Sequence, residues 1–525
     1  MSAPSTPPPA PPVEVPRMPA GDKFTIGTLL IAAFIMILNE TIMNVALQPL
    51  MVEFQVGETT IQWLTTAFML TLATVIPTTG YLMQRFSLRT VFTIAMVLFS
   101  LGTAIAAAAF GFPMLLVGRI VQAAGTAMML PLLMTTTLTL VPLQRRGVVM
   151  GNISIVISVA PATGPALSGL ILHIADWRFL FLMILPIALV ALVLGRPRLD
   201  SSPGVKGGGL SVPSLLLSVP GFAGVVYGIS QLGGGHGEGA GVDETVEAGV
   251  DVVALVVLIV GVLFLAAFTW LQIRLQKGGN PLLNLSPFRY TMFTRSLLMM
   301  LLMMIALFGA IIMLPLFLQQ VRGLDTLQTG LLMLPGGVLM ALLAPIVGRL
   351  YDRVGPKPLV VPGASLLVIA LFLMSLLSPD SSIWAVLGLH LVLSFGLACL
   401  FTPAFTTAMN PLPQPLYSHG SAVLNTLQQL AAAVGTALLV TVLGLGAAAA
   451  TARGLDPDAA AVEGFRTAFR TAAVMSLGTL ALGLTLRATK AGEAEGGDLR
   501  SMADRTRGRP RRPPPTESRP LRIAR

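Results

Sequence analysis

Cysteine is almost missing from this chain. Cys399 is the only one in 525 residues, which excludes a disulfide framework. Charged residues make up 11% of the sequence, against about 25% in soluble proteins, which excludes an ordinary water-facing domain. Lysine is the scarcer cation, with five against 28 arginines, and alanine and glycine abound; this hints at a GC-rich bacterial genome. Histidine and cysteine show no metal-ligand spacing, so neither a metal nor a cofactor is expected. There is no phosphate-binding G-x-x-x-x-G-K-[ST] loop, which sets ATP aside as the obvious energy source. There is no nucleophile elbow, and the chain does not read as an enzyme. Residues 1–20 are Pro-rich and lack an apolar core, so no cleavable signal peptide is expected.

What is abundant is apolar length. The chain is 54% hydrophobic with a mean hydropathy of +0.82. Its apolar residues come in runs of roughly 20, enough for a helix to cross about 30 Å of hydrocarbon. A helix satisfies its own backbone hydrogen bonds, which lipid cannot do. Fourteen spans follow. Six lie near 26–48, 61–82, 91–110, 113–141, 148–173 and 179–195. Two lie near 212–232 and 250–273, and six near 296–320, 327–350, 358–378, 383–408, 421–445 and 468–487.

Basic residues mark alternate loops: Arg85/Arg89, Arg145/Arg146, Arg196/Arg198/Lys206, Arg274/Lys277/Arg289 and Arg349/Arg353/Lys357. The intervening loops carry acids: Glu53/Glu58, Glu238/Asp243/Glu244/Glu247 and Asp456/Asp458. The positive-inside rule puts the basic loops and both termini in the cytoplasm of a bacterial plasma (inner) membrane, and the acidic loop at 233–249 outside.

The loop GYLMQRFSLR at Gly80–Arg89 returns 268 residues later as GRLYDRVGPK at Gly348–Lys357. A loop repeated at one place in each half signals an internal duplication, an architecture of transporters. Two six-helix bundles, 21–200 and 281–490, then flank a linker, 201–280, that holds two extra helices. The tails, 1–20 and 491–525, are rich in Pro and Arg and are expected to be disordered. The C-terminal tail is either a solvated segment or a contact for anionic headgroups.

Several polar groups stand out inside the spans. Glu40, Asn44 and Gln48 are spaced i, i+4, i+8 and form one polar stripe, and Glu40 is the one carboxylate clearly inside a predicted span. Such a residue either faces a cavity as a proton carrier or is a structural Glu, paired to a neighbouring helix or lying near the outer interface. Arg119 with Gln122 enters the fourth span, where a lone cation costs several kcal/mol unless paired or watered; it faces the bundle interior or snorkels to the interface. His390 in the twelfth span is a proton relay or a packed neutral ring. Asn425 and Gln428 mark the thirteenth span. The Met299, Met300, Met303, Met304 cluster reads as packing or as an adaptable apolar surface.

The motifs resemble those of a known family. Gly348–Lys357 is similar to the loop between helices 2 and 3 of the major facilitator superfamily, with Gly348, Asp352, Arg353 and Gly355 in place. The first copy keeps Gly80, Arg85 and Arg89, but Gln84 replaces the family's Asp and Ser87 its second Gly. Ala160-Pro161-Ala-Thr-Gly164-Pro165-Ala-Leu-Ser168-Gly169 resembles motif C, which is associated with exporters; Ser168 stands for a Gly. Arg119-Ile-Val-Gln122-Ala-Ala-Gly125 resembles motif B. Leu38-Asn39-Glu40-Thr41-Ile-Met-Asn44 resembles the first-helix signature of the fourteen-helix drug:proton antiporter branch, with Asn39 in place of its Asp and Gln48 in place of its Pro. Gln62–Thr65 and Asp176–Phe181 extend the match. Ser418–Gly420 with Asn425–Gln429 looks most like the lincomycin-resistance-type exporters.

The resemblance implies an all-α integral membrane protein of about fourteen helices (6 + 2 + 6) with pseudo-symmetric halves. It implies proton-driven export of hydrophobic or cationic small molecules by alternating access. Glu40 and Arg119 would couple protons. Asn44, Gln48, Gln122, His390, Asn425 and Gln428 would line the cavity. Gly80, Arg85, Arg89, Pro161, Gly164, Pro165, Gly169, Gly348, Asp352, Arg353 and Gly355 would serve the conformational change. The expected partners are a small molecule, protons and the bilayer, with no nucleic acid, and the chain would act as a monomer. A lipid or metabolite transporter on the same fold, or a non-transporting sensor or scaffold, stays open.

Overall fold

Every long element among the described residues is a helix, as lipid demands of a backbone that must satisfy itself. The computed structural model describes residues 18–199, 211–232, 252–278 and 281–487. The expected C-terminal tail, the acidic loop and residues 1–17 of the expected N-terminal tail lie outside them, and Ala20, placed in that tail, opens the first helix. All described residues belong to one compact unit, Met1–Ala488.

The first group is α1 (Ala20–Phe54), the single turn α2 (Glu58–Ile61), α3 (Trp63–Arg85), α4 (Leu88–Ala107), α5 (Phe112–Leu140), α6 (Arg146–Ile174) and α7 (Arg178–Gly195). An additional pair follows, α8 (Val212–Leu232) and α9 (Val252–Gly278). The second group is α10 (Thr291–Leu316), α11 (Thr326–Val354), α12 (Lys357–Met374), α13 (Ile383–Met409), α14 (Tyr417–Ala452) and α15 (Pro457–Thr485). Thirteen are long and apolar enough to cross a membrane, and α6, at 29 residues, packs among them as the fourteenth long helix.

The packing repeats. In the first group α4 pairs with α5, α1 with α6, α3 with α5 and α4 with α7. In the second, α12 pairs with α13, α10 with α14, α11 with α13 and α12 with α15. The two sets match when α1, α3, α4, α5, α6 and α7 are laid on α10 to α15 in order. The halves meet along two seams that the same match exchanges, α3 against α14 and α6 against α11. α8 lies on both α3 and α14, and α9 lies on α8.

Close approach within a half rests on glycine. A Cβ on Gly102 would strike the backbone of Gln122, and one on Gly125 the backbone of Phe99, so α4 and α5 touch backbone to backbone. Gly396 and Gly363 play this part for α13 and α12. The methionine cluster of α10 is buried core.

Helices exceed their apolar runs where polar residues can be capped. α15 begins eleven residues before the predicted span: Asp456 accepts the Ala459 N–H at 2.8 Å as N-cap, and Pro457 takes the first helical position. Glu463, in the added turns, then pairs with Arg466 and with Arg470. An apolar-length criterion does not see such turns.

Candidate transport site

Arg119 enters α5 two turns from its start and is 1% exposed. Its Nη1 donates to Gln122 Oε1 at 2.7 Å and to Asn39 Oδ1 at 3.1 Å. Gln122 Nε2 donates onward to Thr103 Oγ1 at 2.8 Å, so the network joins α1, α4 and α5. The guanidinium lies over the Phe68 ring of α3, 4.1 Å from its centroid. A desolvated cation on an aromatic face gains about 2 kcal/mol. Arg119 therefore faces the bundle interior and does not snorkel.

Glu40 is half-buried, one residue along α1 from Asn39. It forms no hydrogen bond or ion pair among the described residues, yet its charge acts on Arg119 through space. Asn39, where the resembled signature carries Asp, offers the arginine a neutral amide acceptor. The carboxylate at the next position is left without a partner. A step of one residue turns a side chain by about 100°, which separates the two roles.

α1 and α6 are fitted tightly beside this network. A Cβ on Gly164 would collide with Thr41 Oγ1, and Ser168 Oγ donates to the Ile42 carbonyl at 3.0 Å. Serine in the family's glycine position is thus used as a donor across the helix pair. At Gly169 a Cβ would meet nothing within 4 Å. The side chains of Asn44, Gln48, Pro161 and Pro165 lie outside the described residues.

The other cavity candidates divide. Gln122 is fully buried, with both ends of its amide engaged in the Arg119 network. Asn425 is buried and returns its Nδ2 to the Ser421 carbonyl at 2.8 Å. Gln428 is half-buried, its Nε2 3.9 Å from Met300 Sδ. His390 is buried, with Nε2 3.1 Å from the Met333 carbonyl and Nδ1 unpartnered. Gly336 packs against that ring.

The face that bears the basic loops is shut by contacts between the halves. Asp352, near the end of α11, accepts the N–H groups of Gly147 and Val148 at 2.9 and 3.1 Å. Those are orphan donors at the N-terminus of α6, where the helix dipole favours a carboxylate. Gly348 fits against the Gly147 carbonyl, and Gly355 closes α11 at φ +79°. Arg353 points to the exterior.

The first copy of the loop closes differently. Gln84 Nε2 donates to the Pro415 carbonyl at 3.1 Å, just before α14. A carboxylate there would face an acceptor and could not make this bond. Ser87, standing for the family's glycine, has φ −65° and caps α4 by accepting the Thr90 N–H at 3.2 Å. Gly80 abuts His419 of α14. Arg85 is exposed, whereas Arg89 reaches the Leu199 and Pro197 carbonyls at 3.0 and 3.1 Å.

Sequence reasoning passed over one group. Arg146, grouped with Arg145 as a loop charge, is 6% exposed. It donates to the Leu138 carbonyl at 2.7 Å, the Tyr417 hydroxyl at 3.0 Å, the Val141 carbonyl at 3.2 Å and Asn410 Oδ1 at 3.3 Å. The sequence carried no signal to separate it from Arg145, because its apolar span begins at 148 whereas α6 starts at Arg146.

The Major Facilitator Superfamily sequence pattern matches residues 29–436. The chain belongs to the Major Facilitator Superfamily. Relatives in this family include lincomycin resistance protein LmrB of Listeria innocua, 38% identical over 408 residues, covering 78% of this chain and 83% of that protein. The transporter YcnB of Bacillus subtilis is 37% identical over 472 residues, 90% of this chain and 96% of its own. A multidrug resistance protein B homolog of Mycobacterium tuberculosis is 28% identical over 422 residues, 79% and 75% of the two chains. Among solved folds, the human organic anion transporter MFSD10 superposes with a TM-score of 0.62 at 16% identity, over 89% of this chain and all of that one. The proton:xylose symporter XylE does so with a TM-score of 0.62 at 15% identity, over 91% and 99%. The chain is thus a multi-pass membrane transporter of this superfamily, whose members handle small molecules, and its relatives carry drug-resistance names.

Proposed function

We propose that this protein is a proton-driven exporter of hydrophobic or cationic small molecules. The observation that carries the reading is the split between Asn39 and Glu40. Arg119 is fixed by neutral amides, and the carboxylate beside it is free to take a proton or a cation. Drug-resistance names among relatives at 38% identity support the substrate class.

In the proposed cycle the bundles at 21–200 and 281–490 rock about a central site, and 201–280 is an insert between them. The state described has the basic face shut through Asp352 and Arg146. With the basic loops cytoplasmic, as the charge bias supports, this is the state facing outward, in an inner membrane with both termini inside. Protonation of Glu40 removes its charge, weakens its hold on a cationic cargo and favours release. The protein works as a monomer in the bilayer.

The test is transport in proteoliposomes with ethidium under an imposed pH gradient. Wild type should export uphill. Glu40→Gln should still bind ethidium, more weakly than wild type, and should lose gradient-driven export while keeping downhill exchange. Full uphill export by Glu40→Gln would remove Glu40 as the carrier, and suspicion would pass to His390 or Asp352.

A further inference from the structure

The internal duplication makes the two seams equivalent, but their surroundings differ. α8 covers the seam of α3 with α14, and among the described residues no helix outside the two halves packs on α6 or α11. The cover is fastened at both ends. At the outer end Tyr227 of α8 stacks on Trp63 of α3, with ring centroids 6.0 Å apart. At the basic end Gln272 of α9, fully buried, donates to Ser214 Oγ of α8 at 2.8 Å and accepts the Leu283 N–H at 3.1 Å. The next backbone N–H, of Asn284, donates to His419 Nδ1 of α14 at 3.2 Å. His419 in turn lies against Gly80 of α3. Contacts thus run from the hairpin through the linker into the seam it covers. Gly224 of α8 and Gly261 of α9 meet backbone to backbone, so the hairpin is itself a tight pair.

The uncovered seam is graded along its length. Toward the basic face, Gly147 and Gly151 of α6 press on Asp352 and Ala344 of α11. Toward the outer face, a Cβ at Gly169 of α6 or Gly330 of α11 would meet nothing within 4 Å. Apolar side chains flank that loose end: Leu170 is 60% exposed, Ile174 74% and Leu331 59%. Helices that part toward one membrane face, with apolar flanks, admit an acyl chain or an amphiphile more readily than ions, since apolar surface gains nothing from water.

We propose that the α8–α9 hairpin is a fixed cover over one seam, so that membrane-dissolved amphiphiles and phospholipid acyl chains reach the central space between α6 and α11 alone. That a transported cargo uses this path rests on the export reading; the path itself rests on the packing. The two extra helices thereby turn a pseudo-symmetric carrier into one with a single lateral opening.

The experiment is photocrosslinking of the full chain in vesicles of phosphatidylethanolamine and phosphatidylglycerol. p-Benzoylphenylalanine is placed at Thr163 of α6 and Leu334 of α11, and at their counterparts across the duplication, Val434 of α14 and Thr66 of α3. Thr163 and Val434 each precede the packing glycines Gly164 and Gly435, and Leu334 and Thr66 each lie fourteen residues before Gly348 and Gly80. All four are half-buried, which makes the comparison even. Phospholipid adducts, read by mass spectrometry, should be about tenfold more abundant at Thr163 and Leu334. Equal yields at both seams, or none at Thr163 and Leu334, would overturn the proposal. Unfastening the cover with Tyr227→Ala and Gln272→Ala should raise the Val434 yield and leave Thr163 unchanged; no rise would show that the hairpin is not the barrier. Ethidium export from the same vesicles reads the cargo separately. Its loss with the adduct pattern intact would fall on the export reading and leave the path standing.

Discussion

Arg146 and Tyr417 are the first residues of α6 and α14, and the guanidinium of one donates to the hydroxyl of the other at 3.0 Å. These helices occupy equivalent places in the two halves. The bond therefore crosses the pseudo-symmetry axis, and in the proposed cycle it would break when the basic face opens.

Tyr417→Phe removes one charge-assisted hydrogen bond from that closure, worth about 1.5 kcal/mol, or roughly a tenfold shift in an equilibrium. In a Cys399→Ala background, a cysteine at Ser154, which lies behind the closure and touches Thr402 of the other half, should react about tenfold faster with a soluble maleimide added at the basic face. An unchanged rate would show that the bond does not hold the face shut.

The two copies of the repeated loop should not be interchangeable. Asp352→Asn keeps an acceptor but loses the charge at the α6 terminus, an effect of about 1 kcal/mol or more, and transport should fall severalfold. Gln84→Asp in that variant should give no rescue, because Gln84 faces the Pro415 carbonyl and a carboxylate cannot donate to it. Recovery of transport in the double variant would contradict this account.

Two glycines of the same motif should respond in opposite ways. Gly164→Leu drives a side chain into Thr41 and should abolish transport while the protein still inserts. Gly169→Ala meets open space and should retain transport within about twofold. Comparable activity for both would make the α1–α6 fit decorative.

Orientation is open to labelling. With the basic loops inside, a cysteine at Asp380 should react with an impermeant maleimide added to intact cells, and one at Lys277 should react only after permeabilisation. Both residues are exposed, so accessibility does not bias the comparison. The opposite pattern would invert the direction assigned to transport.

The spans were legible because a membrane helix announces itself by apolar length alone. What escaped was whatever polar caps and pairs add outside the bilayer, as in the first turns of α15. Arg119 and Glu40 were legible as charges in apolar runs. The network around Arg119 was not: Phe68, Asn39 and Thr103, the last reached through Gln122, lie on three other stretches of chain, and only the packing of α1, α3 and α4 around α5 brings them together. Arg145 and Arg146 look alike as a basic pair in the sequence. One helix start separates them, and Arg146 is buried as the centre of a closure.

The pairing of Arg119 with neutral amides also has an electrical consequence. With Glu40 ionised, the site sums to zero; with Glu40 protonated, it carries one positive charge. In the proposed cycle an uncharged cargo would leave on the neutral leg, and the protonated return leg would move charge inward. Each unit charge crossing the field gains about 2.3 kcal/mol per 100 mV. Export would then be electrogenic, and a membrane potential alone, with no pH difference, would drive it.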